Sequence, residues 1–260
     1  MNYQMSDSPV KVWIDRNGKL LRLRLARPKA NITDAAMLEA ISSALEEHAS
    51  NPGIKGVVLD HEGPHFSFGA SVPEHLPGQF CDMLSVMNKT LLTMLRHPVP
   101  ILVSVQGQCL GGGLEVACSG SRIFASPDAI FGQPEIKVGV FAPYASFFLI
   151  ELIGQIHAED MLYSGRSVSA EEASAMGLVA DLSDDPEAAA LAYFDEQLAP
   201  VSASVLRFAV QAAREDYADR FAAKMVKLEE LYTSGLMETE DAVEGLNAFL
   251  EKRSAVWKNQ

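Results

Sequence analysis

The sequence predicts an α/β fold closed by an all-helical C-terminal segment, and three observations carry that prediction. Val57-Val58-Leu59 and Ile101 to Val105 are continuous apolar runs, the pattern of strands covered on both faces. Between them lie segments whose apolar residues recur at helical spacing, as expected for helices packed on a sheet. From about Ser202 onward strand signals cease and Ala, Glu, Arg and Lys dominate. This divides the chain into a core domain over 1–201 and a helical segment over 202–260.

Val10 to Asp15 is a β-rich run that meets Asn17-Gly18, the pair favoured in two-residue hairpin turns. Beyond it Leu21, Leu23 and Leu25 alternate with Arg22 and Arg24, so this strand is expected to bury one face and solvate the other. After Arg27-Pro28, Thr33 or Asp34 caps a helix whose Met37, Leu38, Ile41 and Leu45 form one stripe, ending before Pro52-Gly53. The Val57 strand leads into a Gly/Pro/His-rich loop from His61 to Gly78 and a helix from about Gln79 to Leu95. Pro98 and Pro100 introduce the Ile101 strand; a second loop, a short helix from about Gly113 to Cys118 and a strand near Arg122 to Ala125 follow. Ser169 and Glu172 have the spacing of a capping box, which places a helix over Ala173 and Met176.

The chain has 260 residues, 48% hydrophobic and 21% charged, enough apolar surface for a full core and too much for a disordered chain. Its 21 Lys plus Arg stand against 34 Asp plus Glu, and the resulting charge of −13 repels a phosphate backbone, so no nucleic-acid partner is expected. No apolar run reaches the ~18 residues of a membrane span. The nearest approach is Phe141 to Ile150, and no membrane association is expected. Met1 to Val10 is polar and lacks the features of a secretory signal. Cys81, Cys109 and Cys118 are odd in number and lack paired spacing, which fits a reducing cytoplasm.

The most unusual stretch is Gln106 to Glu115, which follows a buried strand, contains Gly111-Gly112-Gly113 and opens a helix. Such a triplet serves either as a tight packing turn or as an oxyanion hole, because backbone N–H groups at a helix N-terminus favour negative charge. Phosphate-loop and dinucleotide patterns are absent. Glu115 lies one turn into the helix, and Glu135 sits in Phe131-Gly132-Gln133-Pro134-Glu135 after the next strand. Two such glutamates are either solvated surface acids or an acid–base pair around one water, with proton affinities split by burial and like charge. The loop His65 to Ser71 emerges at the same sheet edge and is a candidate source of a second oxyanion N–H. His61, Glu62 and His65 lack the helical i, i+4 presentation of ligands, so no metal is expected. Cys109 reads as a buried thiol, and the absence of a G-x-S-x-G elbow disfavours a serine hydrolase.

Together, Phe68-Gly69-Ala70-Ser71, Gly107 to Glu115 and Phe131 to Ile136 resemble the crotonase, or enoyl-CoA hydratase/isomerase, superfamily. The likeness spans nearly the whole chain, from Arg27-Pro28-Lys29-Ala30 to Phe249-Leu250-Glu251-Lys252-Arg253. It implies a spiral of repeated ββα units with a C-terminal helical trimerisation segment, and commonly a hexamer built as a dimer of trimers. It implies an acyl-CoA thioester substrate and no separate cofactor. Ala70 and Gly112 would donate the oxyanion-hole N–H groups, and Glu115 and Glu135 would match the catalytic glutamates of hydratases. Lys29, Phe68, Phe141, Tyr144 and Lys252 fall at positions of implied substrate contact.

Two departures narrow the substrate. Ser71 and the sequel Val72 to Pro77 differ from the usual continuation, as does Gly139 to Phe148 after the second glutamate. These segments look closest to superfamily hydratases acting on cyclohexa-1,5-diene-1-carbonyl-CoA in anaerobic benzoyl-CoA degradation. The alternatives are a general enoyl-CoA hydratase, a decarboxylating relative, or a noncatalytic acyl-CoA or RNA-binding member.

Overall fold

The structure, a computed structural model, describes residues 8–260. The polar N-terminal stretch read as carrying no secretory signal therefore lies mostly outside the described residues. Strands β1 (Val10–Asp15) and β2 (Leu20–Leu25) pair antiparallel with Asp15 opposite Leu20. The connection is a four-residue turn from Arg16 to Lys19 rather than the two-residue turn that Asn17-Gly18 suggests, with Arg16, Asn17 and Gly18 all at positive φ. Asp34 caps helix α1 (Ala35–His48), its side chain accepting the Met37 N–H at 2.9 Å. Of the two candidate caps, Thr33 is thus left free for another role.

The Arg face of β2 is not solvated. Arg22 is 3% exposed and ion-paired to Asp60 on β3 (Gly56–His61), while Arg24 reaches Asp60 and also Glu187 at 2.7 Å. Both guanidinium groups lie about one ring's reach from Trp13, at 5.0 and 5.3 Å from its centroid. Charge pairing lets the polar face of an alternating strand be covered by other elements.

Helix α2 (Phe80–Leu95) leads to β4 (Ile101–Val105), β5 (Gln108–Leu110), α3 (Gly112–Ser119), β6 (Arg122–Ala125) and β7 (Ile130–Gly132). After a 3-10 turn over Pro134–Val138 come α4 (Ala145–Ser164), β8 (Ser167–Ser169), α5 (Ala170–Met176) and β9 (Asp181–Leu182). Ser169 caps α5 through the Glu172 N–H, at the spacing of the capping box. The chain ends in α6 (Pro186–Tyr193), α7 (Ala203–Ser234) and α8 (Glu240–Leu250).

The strands form a six-stranded sheet ordered β1-β2-β3-β4-β6-β9, parallel from β2 onward, and a three-stranded sheet ordered β5-β7-β8. The short β5 and β7, which no strand signal marks in the sequence, build the second layer. Parallel bridges continue that layer: Thr33 pairs with Ala70, and Ser67 with Cys109. Successive turns therefore run strand, short strand or bridge, helix: β2, Thr33, α1; β3, Ser67 to Ala70, α2; β4, β5, α3. This is a ββα spiral, and it brings Thr33, Ala70 and Gly112 to one end of adjacent turns.

Part of the C-terminal segment belongs to the core of its own chain. Phe221 is fully buried, stacking on Phe148 at 5.1 Å, and Leu246 is also buried. Leu206 and Leu228 are half-buried, whereas Leu231, Phe249 and Trp257 are exposed. The apolar residues of this segment thus divide between intrachain packing and an open surface.

Candidate active site

Backbone approach between neighbouring turns explains the glycine triplet. Gly111 has φ +51, and a Cβ there would meet Glu135 Oε1 at 2.7 Å. A Cβ on Gly112 would lie 2.8 Å from Thr33 Oγ1, 3.1 Å from Ala70 Cβ and 3.2 Å from Ala70 N. On Gly113 it would strike the Ser67 side chain at 2.5 Å. Only glycine lets the start of α3 come this close, which sets the Gly112 and Ala70 amides side by side. Among the described residues neither N–H has an intrachain acceptor. The packing-turn and oxyanion readings of the triplet are therefore compatible: close packing is what aligns the two donors.

His61 and His65, which invite a metal reading, hold backbone instead. His61 Nε2 accepts the Gln106 N–H and His65 Nδ1 the Gln108 N–H, each at 3.2 Å. These bonds tie the β3 loop to the entry of β5. Among the described residues no group of three or more His, Cys, Asp or Glu is placed to hold a metal ion. Cys109 is fully buried, and burial holds its thiol well above the ordinary value, which makes it a packing group rather than a nucleophile.

Glu115 is 5% exposed, so it is not a solvated acid. Its Oε1 accepts the N–H groups of Tyr144 at 3.1 Å and Ala145 at 2.8 Å, at the start of α4. Burial raises its pKa, and those two donors pull the other way by favouring the carboxylate. Glu135 is raised by burial and then by the charge of Glu115. The Gln133 amide lies 2.9 and 2.8 Å from the two Glu135 oxygens. Turned with nitrogen inward it donates to and steadies the carboxylate; turned with oxygen inward it accepts a hydrogen bond from the neutral acid. Two N–H donors favour the charged form of Glu115, whereas the charge of Glu115 disfavours that of Glu135.

Both glutamates line one cavity together with Thr33, Ala70, Gly112, Tyr144 and Tyr232. Room for the centre of a water molecule is about 20 Å³, enough for one water. Met83, Leu84 and Met87 of α2 and Ala142 supply apolar wall. Of the residues singled out for substrate contact, Tyr144 lines the cavity, but its hydroxyl is engaged with the Leu84 carbonyl at 2.7 Å. Phe141 stands behind the wall, its ring 5.3 Å from that of Tyr232. Phe68, Lys29 and Lys252 are exposed and outside the cavity lining. Sequence reasoning missed Thr33, His75, Met83, Met87 and Tyr232. The three- and four-residue spacing of the α2 residues marked a buried face without saying what it faced, and Tyr232 carries no local signal.

The enoyl-CoA hydratase/isomerase family model matches residues 15–260, and the chain belongs to that family. A cyclohexa-1,5-dienecarbonyl-CoA hydratase from Thauera aromatica is 58% identical over 255 residues, covering 98% of this chain and 99% of that protein. A probable enoyl-CoA hydratase from Bacillus subtilis (strain 168) is 31% identical, over 92% of this chain and 95% of its own. The crystal structure of an enoyl-CoA hydratase from Bacillus halodurans matches with a TM-score of 0.86 at 19% identity, covering 93% of this chain and 100% of that chain. The spiral is thus the crotonase fold.

Proposed function

We propose that this protein hydrates cyclohexa-1,5-diene-1-carbonyl-CoA to 6-hydroxycyclohex-1-ene-1-carbonyl-CoA, without a separate cofactor. The observation that carries the chemistry is the single cavity in which two acceptor-free N–H groups face two glutamates of raised pKa. The choice of acyl group follows the Thauera aromatica relative.

The thioester oxygen accepts the N–H groups of Ala70 and Gly112, at the positive end of α3, where charge developing on oxygen is stabilised. Ionised Glu115 takes a proton from water as the water oxygen bonds to the β-carbon. The electron pair of the conjugated system moves onto the thioester oxygen, giving a dienolate. Glu135 then gives its proton to the vinylogous carbon, across the ring, and one double bond stays conjugated with the thioester. Return of the proton from Glu115 to Glu135 resets the pair.

The same reading takes the protein as a cytoplasmic homo-oligomer, two trimers forming a hexamer, with no nucleic-acid or membrane partner. It also keeps the boundary between residues 201 and 202 as the start of an assembly segment. Val205, Phe208 and Val226, at 65%, 73% and 68% exposure, support an interface along α7. No helix of the described residues is long and apolar enough to cross a membrane. Lys29 and Lys252, exposed and outside the ion pairs of the described residues, are the proposed contacts for CoA phosphates, and Phe68 and Phe141 for the acyl and pantetheine parts.

Assaying one preparation with cyclohexadienoyl-CoA and crotonyl-CoA side by side tests the reading. Higher kcat/KM for the diene is expected. A clear preference for crotonyl-CoA identifies a general enoyl-CoA hydratase, and inactivity on both removes the hydratase assignment.

A further inference from the structure

Thr33 is 1% exposed, and its hydroxyl has no hydrogen-bond partner. Buried polar groups are nearly always paired, and an exception calls for an explanation. Thr33 is not spent on capping α1, since Asp34 does that. Its backbone is fixed instead by the bridge to Ala70, with the Thr33 N–H donating to the Gly69 carbonyl at 2.9 Å. Its Oγ1 sits 2.8 Å from where a Gly112 Cβ would stand, on the wall of the cavity that holds both glutamates. A buried hydroxyl without a partner thus lines the same cavity as the two amides that also lack one.

We propose that Thr33 is a catalytic residue, its hydroxyl supplying a third hydrogen bond to the thioester oxygen beside the Ala70 and Gly112 N–H groups. The inference rests on the hydratase reading above and deepens it. A threonine hydroxyl turns about its Cβ–Oγ bond, so its proton can follow an oxygen whose charge grows during the reaction. An N–H held by the backbone cannot make that adjustment. The unmade bond in the free protein is then a donor kept in the cavity for the substrate oxygen.

Thr33→Val removes the hydroxyl at nearly constant volume and Thr33→Ser keeps it. Thr33→Ala stands in should the valine variant fail to fold. Thr33→Val is expected to lose about 10- to 100-fold in kcat for the diene, with KM changed less, and Thr33→Ser to stay within about threefold of wild type. A second readout is the ultraviolet absorption of bound cinnamoyl-CoA, a conjugated thioester that shifts to longer wavelength when its carbonyl is polarised. That shift should shrink in Thr33→Val and persist in Thr33→Ser. Wild-type turnover and an unchanged shift in Thr33→Val, or equal damage in the serine variant, would overturn the proposal. A wild-type enzyme that hydrates neither the diene nor crotonyl-CoA but shows the Thr33-dependent shift refutes the hydratase reading and leaves the third donor standing.

Discussion

Substituting Gly112 by alanine tests whether the close approach of two turns is what makes the site work. The new Cβ would meet Thr33 Oγ1 at 2.8 Å, Ala70 Cβ at 3.1 Å and Ala70 N at 3.2 Å. Carbon atoms settle at about 3.5 Å or more from such neighbours, so the Thr33, Ala70 and Gly112 backbones must part by about 0.5 Å. Both amides then cannot lie within bonding distance of one oxygen. Loss of one oxyanion donor costs about 10²-fold in turnover, and a displacement near 1 Å at a reacting centre costs a similar factor. We therefore expect kcat for the diene to fall by about 10- to 100-fold. Gly112→Pro, which deletes the N–H outright, should lose at least ~10²-fold. Gly53→Ala is the control, because there the nearest atom stands at 3.4 Å, an ordinary contact. Steady-state hydration rates, read beside thermal unfolding to show that the variants fold, decide the matter. A folded Gly112→Ala enzyme within threefold of wild type would refute the reasoning.

The remaining predictions concern the carboxylates and the C-terminal segment. Glu115→Gln and Glu135→Gln should each abolish most turnover, and the double variant should lose far less than the product of the two, since both groups serve one water; multiplicative losses would show that they act independently. Turnover should fall in acid, when both carboxyls are protonated, and in base, when both are ionised, giving a bell-shaped profile; a profile flat above neutrality would contradict the shared proton. Glu135 binds its proton more tightly in the folded chain than in the unfolded one, so its contribution falls as pH rises from the ordinary carboxylate range through the raised value. Glu135→Gln should accordingly gain thermal stability over wild type in mildly alkaline buffer, by an amount of order 1 kcal/mol, and show no gain near pH 4; a gain independent of pH would sink this account. Truncation before Ser202 removes Phe221 and Tyr232 from the core and should yield an aggregating or monomeric chain by sedimentation, whereas a soluble, fully active oligomer would show that neither packing nor assembly needs the segment.

Local chemistry determined much of this protein. Apolar runs specify β3 and β4 because both faces of a central parallel strand are buried, and Asp34 and Ser169 mark helix starts because a cap is satisfied within a few residues. The order of the motifs around Ala70, Gly112, Glu115 and Glu135 was enough to identify the family. What sequence patterning misread was set by partners distant along the chain. Arg22 resembles a solvated strand residue until Asp60 on the neighbouring strand neutralises it. Strands β5 and β7 are too short to carry a period of two, and exist because they complete each other's hydrogen bonds. His61 and His65 carry no local sign that their ring nitrogens accept backbone N–H groups of the next turn. That Phe68, Lys29 and Lys252 are exposed and outside the cavity lining is likewise something their motifs do not tell. Thr33 and Tyr232 enter the site from opposite ends of the chain. Their place was decided only by the tertiary structure, because coiling of the spiral and the return of α7 bring together residues that no local pattern relates.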